Sequence, residues 1–187
     1  PYGGSVRFCD KELKDFSPRE ISATVGYLGH DPELFADTVQ NNVLCGAKED
    51  VMPYLDAVAL KDEVLAMENG ADTVIGASGG RLSGGQAQRL ALARTLAHPR
   101  PVVVLDDPFS ALDRKTEDTV FKNLQYYAKD KVVFLISHRL YHFRQMQKVI
   151  FIEDGKATVG THDELTATLP DYKRLYDSQS GGENHEE

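Results

Sequence analysis

Cysteine is scarce: Cys9 and Cys45 are the only two in 187 residues. They are isolated, with no metal-ligand spacing and no secretory leader, which excludes a disulfide framework and a thiolate metal site. Two reduced thiols in a cytosolic domain are the expectation. Excess basic charge is missing as well. With 21 Lys and Arg against 29 Asp and Glu the net charge is −8 and the pI about 5.2, which excludes a nucleic-acid-binding surface as the main task. Long apolar runs are absent too. The longest, around Val102–Leu105 and Val132–Ile136, are strand-sized and cannot cross a bilayer, so any transmembrane part is expected on another stretch of polypeptide or on another chain. Nowhere does a Gly-x-x-x-x-Gly-Lys-Ser/Thr loop occur, which excludes from this stretch the phosphate cradle that such a loop and its lysine build. No internal repeat or low-complexity tract is present.

What remains is an ordinary globular composition, 41% hydrophobic and 27% charged, long enough for one domain with a full core. Ser5–Phe8 reads as a short strand after the Gly3-Gly4 turn. Ser17-Pro18-Arg19-Glu20 has the cap, proline and acid that open a helix. Thr24–Leu28 is a second strand. Leu55, Val58, Ala59, Val64 and Leu65 have helical spacing within a stretch interrupted by the loop Gly70–Gly80. Pro101–Leu105 and Lys131–Ile136 are continuous runs, expected as strands buried on both faces of a parallel sheet. A helix from Asp113 to about Tyr127 joins them in a right-handed crossover. Val149–Ile152 and Lys156–Val159 make a hairpin around Glu153-Asp154-Gly155. Thr161–Leu165 caps a helix, Asp171–Asp177 forms another, and Ser178–Glu187 is polar and expected to be disordered.

Two stretches carry chemistry. Leu90, Ala91, Leu92, Ala93, Leu96 and Ala97 form an apolar helical pattern stopped by Pro99, which places Ser83, Gly84 and Gly85 at a helix N-terminus. Backbone N–H groups are unsatisfied there and the macrodipole is positive, so an anion is welcome. The glycines let backbone approach a phosphate, and the Ser83 hydroxyl can donate; the alternative is a plain N-cap. The second stretch is Asp106-Asp107, adjacent carboxylates at the end of a buried parallel strand, where ligands collect in α/β folds; the alternative is a surface acid pair.

Taken together, Leu82-Ser83-Gly84-Gly85-Gln86 opening a helix, followed by Val102-Val103-Val104-Leu105-Asp106-Asp107, resembles the ATP-binding domain of an ABC transporter. The resemblance runs from Gly4 to about Tyr176. It implies that Ser83, Gly84, Gly85 and Gln86 are the signature that contacts a partner domain's ATP. Asp106 matches the Walker B aspartate, which holds Mg2+, usually through water. The next position carries a glutamate in the family and Asp107 here. It is one methylene shorter, and a general base must come within about 2.6–3.2 Å of its proton or act through one water, so hydrolysis is expected to be impaired. Ser110-Ala111-Leu112-Asp113 matches the D-loop, although Asp113 also suits a helix cap. His138 in Ile136-Ser137-His138-Arg139-Leu140 matches the switch histidine that senses the γ-phosphate. Gly26–Phe35 with Thr38-Val39 matches the Q-loop region of exporters, with His30 where the family has a Mg2+-ligating glutamine; imidazole is a poor Mg2+ ligand but hydrogen-bonds to water or phosphate. Asp72–Ala77 sits where exporters place a loop facing their membrane domains, with Ala77 in place of the usual acid. His98, His142, His162 and His185 have no constellation and are expected to be solvated or capping.

The fold implied is α/β, a P-loop NTPase-like, mostly parallel sheet core with an inserted helical subdomain and its N-terminal part missing. Residues 1–177 would be the partial ATP-binding domain, with the helical subdomain at about 50–97 and the core with Walker B, D-loop and switch histidine at 98–177; 178–187 would be a disordered tail. The function implied is ATP binding and hydrolysis at a head-to-tail domain dimer, driving export, with ATP and Mg2+ as cofactors. Its partners would be a transmembrane domain and a second ATP-binding domain, not nucleic acid, at the cytoplasmic face of the plasma membrane. Asp107 and His30 together suggest the degenerate half of an asymmetric pair. Two rivals stand: a soluble ABC-type ATPase acting on DNA or ribosomes, and a truncated module that binds a partner and hydrolyses nothing.

Overall fold

The computed structural model describes residues 3–76 and 80–180. Ala77 and residues 181–187 of the expected tail lie outside them. The chain forms two units, residues 1–136 and 137–187.

In the first unit, β1 (Arg7–Phe8) and β2 (Lys11–Glu12) form a small antiparallel ribbon. Helix α1 (Pro18–Thr24) starts at the Ser17 capping box, in which the Ser17 hydroxyl accepts from Glu20 N–H and the Glu20 carboxylate accepts from Ser17 N–H. Strand β3 (Val25–Leu28) follows directly. Three helices come next: α2 (Val39–Leu44), α3 (Met52–Ala57) and α4 (Lys61–Leu65). They lead through a 3-10 turn at Gly70–Asp72 to α5 (Gly84–Ala97). Then come β4 (Val102–Asp106), α6 (Arg114–Tyr127) and β5 (Val132–Ile136).

The sheet has the order β3-β4-β5, all parallel, with Tyr27 beside Val104 beside Phe134 and Asp106 beside Ile136. α5 lies under it. Residues Gln88–Ala93 and Leu96 of this helix are all buried, because the sheet, α2 and α3 enclose it on several sides. A helix with neighbours all round loses the polar stripe of a surface helix.

The expectation that β4 and β5 are buried on both faces is corrected. Val103 and Leu105 are buried, whereas Val102 and Val104 are only half-buried. Val132, Phe134 and Ile136 of β5 are about half exposed and Tyr27 is 63% exposed. Among the described residues the burial along β4 and β5 alternates, as in a sheet covered on one face more than the other. A continuous apolar run states that both faces are apolar, not that both are covered.

The second unit contains β6 (Val149–Glu153) and β7 (Lys156–Gly160), an antiparallel hairpin with Asp154 and Gly155 both at positive φ, as a tight two-residue turn requires. Helices α7 (His162–Thr168) and α8 (Pro170–Ser180) follow. Ser178–Ser180, expected in the disordered tail, continue α8. The core gathers Leu140, Val149, Leu165 and Tyr172. His162 is a further correction: it is buried, its Nδ1 2.8 Å from the Tyr172 hydroxyl, with Tyr176 against its ring. His142 is buried too. Burial holds the His162 pKa down and pushes Tyr172 up to about 12. Among the described residues no helix is long and apolar enough to cross a membrane.

Candidate functional site

The N-terminus of α5 is closed by a capping box. Ser83 Oγ accepts from Gln86 N–H at 3.2 Å, and Gln86 Oε1 accepts from Ser83 N–H at 2.8 Å. The N-cap alternative is therefore real, and it does not exclude the other: the Ser83 oxygen accepts in the cap, which leaves its O–H free to donate outward. Ser83 and Gly84 are exposed. Gln86 turns toward α4, where its Nε2 donates to Glu63 Oε2 at 2.8 Å. Glu63 also takes Arg89 Nη1 at 2.7 Å. Burial pushes the Glu63 pKa up, but the hydrogen bonds from Arg89 and Gln86 outweigh it and hold the carboxyl below its ordinary value. Gln86 thus braces the loop from behind.

The two glycines differ. A Cβ on Gly84 would meet only the Ala111 methyl, at 3.9 Å, whereas a Cβ on Gly85 would stand 2.8 Å from the Ala111 carbonyl oxygen. Gly84 fits the expected freedom for a phosphate to approach. Gly85 has a reason sequence reading missed: the chain itself comes too close.

At the end of β4 the two carboxylates meet different neighbours. Asp106 Oδ2 accepts from the Tyr27 hydroxyl at 3.2 Å, and this bond pushes the phenol pKa up. Asp107 takes a left-handed backbone at φ 50°, tolerable for Asp and costly for most residues. Its N–H donates to Ile136 O at 2.8 Å. Asp107 is 8% exposed, and its Oδ1 is buried without a hydrogen-bond partner. Its Oδ2 stands 3.7 Å from His30 Nδ1. An orphaned buried carboxylate oxygen is costly, and here it belongs to the expected catalytic residue. His30, Asp31, Gly84, Gln88 and Ser110 help line a cleft of about 450 Å3. The sequence-predicted residues His30 and Gly84 thus share one cleft, and His30 reaches Asp107.

Asp113 caps α6, accepting from Thr116 N–H at 3.0 Å and from the Thr116 hydroxyl at 2.6 Å, and these bonds lower its pKa. His138 lies in the second unit, exposed, its carbonyl accepting from Gln179 Nε2 at 2.7 Å. Sequence reasoning missed Gln88, Glu63 and Tyr27. Gln88 had a signal, as a carboxamide inside the apolar helical pattern four residues after Gly84. Glu63 and Tyr27 had none, because their partners are distant in sequence.

Among the described residues no group of three or more His, Cys, Asp or Glu is placed to hold a metal. The donor set fits Mg2+ in a narrower way, since that ion is commonly held by one or two carboxylates together with waters and substrate phosphates.

A parallel sheet with a buried helix beside it and paired carboxylates at the C-terminal end of its middle strand is the architecture of an α/β fold, whose ligands collect at the strand ends. The pattern of the ABC transporter family matches residues 1–110, and the chain belongs to that family. Multidrug export ATP-binding/permease proteins of Staphylococcus aureus, from strains bovine RF122 / ET3-1 and NCTC 8325 / PS 47, are each 33% identical to it over 182 residues, 95% of this chain and 32% of theirs. A solved bacterial Atm1-family ABC exporter with ATP bound superposes with a TM-score of 0.90 at 26% identity, covering 96% of this chain and 33% of that one. The fold is that of an ABC exporter's ATP-binding domain, and the chain spans about a third of the length of these relatives.

Proposed function

We propose that the chain works as the ATP-binding domain of a multidrug-type exporter and is the degenerate member of an asymmetric pair. Residues 50–97 then serve as its helical subdomain. In this reading its Ser83 hydroxyl, the exposed Gly84 backbone and the positive end of α5 grip the γ-phosphate of ATP held by a second ATP-binding domain. In the full-length polypeptide its own ATP lies over Asp106 and Asp107, and His138 takes the switch-histidine role of its motif. Asp106 would hold Mg2+ through water beside the phosphate oxygens, and that ion would supply charge neutralisation on the transferring phosphoryl group. Asp107 would orient the attacking water and take its proton less well than glutamate, and His30 would hydrogen-bond to water or phosphate without ligating the metal. A transmembrane domain is the remaining partner, which places the domain at the cytoplasmic face of the membrane.

The observation that carries the reading is the geometry of the α5 cap, whose serine accepts within the loop and keeps its proton for a ligand. The test is ATP hydrolysis by the full-length polypeptide with its partner in membranes, with and without Ser83→Arg. The substitution should abolish turnover at the partner's site by filling the phosphate position. Unchanged turnover there would rule out the signature role.

A further inference from the structure

Gln88 lies in the second turn of α5 and is 4% exposed. A carboxamide buried this deeply is destabilising unless its donors and acceptor are bonded, and here both ends are. Nε2 donates to the Asp107 carbonyl at 2.9 Å and to Ser110 Oγ at 2.9 Å, while Oε1 accepts from Ala111 N–H at 3.0 Å. All three partners lie in the segment between the paired carboxylates and Asp113. Close by, Gly85 meets the same segment so tightly that a Cβ would stand 2.8 Å from the Ala111 carbonyl oxygen. The left-handed Asp107 is consequently held from two sides, its N–H on Ile136 O and its carbonyl on Gln88.

We infer that Gln88 is a positioning residue that locks the turn Ser83–Gln86 and the segment Asp107–Ala111 into one piece. The two surfaces through which the chain meets nucleotide then keep a single register: Ser83 toward the partner's ATP, Asp107 toward its own. The inference rests on the function proposed above. Its physical basis is short and direct. Gln88 and Gly84 are four residues apart on one helix, so they share a face, and a shift of the Asp107 backbone strains the Gln88 bonds and with them the α5 N-terminus. Only a carboxamide of this length supplies a donor to two oxygens and an acceptor to one N–H. Methionine fills the same volume and makes none of the bonds, and glutamate keeps the acceptor but has no donor for the Asp107 carbonyl.

The lock is tested first by hydrogen exchange in the 187-residue chain. In Gln88→Met the Ala111 amide should exchange about tenfold faster or more, with the amides of Leu90–Ala93 unchanged. An unchanged Ala111 rate overturns the lock. Its role is tested in the full-length pair by turnover at the partner's site. Gln88→Met should lower kcat about tenfold with KM within about twofold, and Ser110→Ala, which removes the hydroxyl that Gln88 donates to and leaves the sequence of α5 unchanged, should lower it about two- to threefold. A rise in KM with kcat retained overturns the positioning role, as does an Ser110→Ala variant with wild-type kcat should Gln88→Met fail to fold. A wild-type pair that hydrolyses no ATP overturns the functional reading instead, and the exchange result then judges the lock by itself.

Discussion

At Asp107 two demands compete. The backbone is left-handed, a conformation that suits aspartate better than glutamate, and the general-base role proposed for the position would favour the longer side chain. Asp107→Glu should raise ATP turnover at this chain's own site by about tenfold or more, because a general base in reach contributes about 10²–10⁴-fold. The same variant should be less stable by about 1 kcal/mol, the cost of a less tolerant residue in that backbone region. Thermal unfolding and turnover, measured on the same protein, check both; a variant that gains stability and no turnover contradicts the assignment. The placement of the paired carboxylates at a strand end and of Ser83 at a helix start was legible from sequence, because both are decided locally. The direction of Gln86 and the pairing of Tyr27 with Asp106 were not, since the partner lies 23 residues away in one case and 79 in the other. The crowding at Gly85 was equally hidden, because a glycine in sequence does not say whether it makes room for a ligand or for its own chain.

Among the elements, caps were the most legible feature. Ser17, Ser83, Asp113 and Thr161 all cap the helices read from them, since a side-chain oxygen three residues before an orphan N–H is decided within one turn. Burial of the strands was less legible, as the exposed row of β5 shows: an apolar run does not specify what covers it. The Ser17 box gives a pH test. Hydrogen bonds from Lys11 and from Ser17 hold Glu20 down at about 2 against an ordinary value of 4.5. A depressed carboxyl stabilises the fold above its unfolded value, and the contribution disappears as pH falls from about 4.5 through about 2. The amide signal of Ser17 should therefore titrate with a midpoint near 2 in an acid NMR series; a midpoint at 4.5 would contradict the box in solution. At α5, Gly85→Ala should lower the melting temperature by several degrees, about 1–3 kcal/mol of overpacking, while Gly84→Ala should lower it by much less. Equal losses in a calorimetric comparison would show that Ala111 does not crowd Gly85.

For the whole molecule, the fold class and family were readable in advance, because a signature helix and a strand ending in two carboxylates fix each other's identity far better than either does alone. The division into units at 136/137 was not, since it depends on which elements find partners within the chain. The functional consequence lies in the mismatch between two surfaces of one domain. In the proposed function the α5 end, with Ser83 and Gly84 exposed, serves a partner's ATP, while Asp107 and His30 are the positions where the family resemblance calls for a glutamate and a glutamine. Such a chain should belong to a pair with one fast and one slow site. The decisive measurement is ATP turnover resolved separately at the two composite sites of the full-length pair. The site built on Asp106 and Asp107 should be the slower; if it is as fast as the partner's site, or faster, the degenerate assignment is wrong.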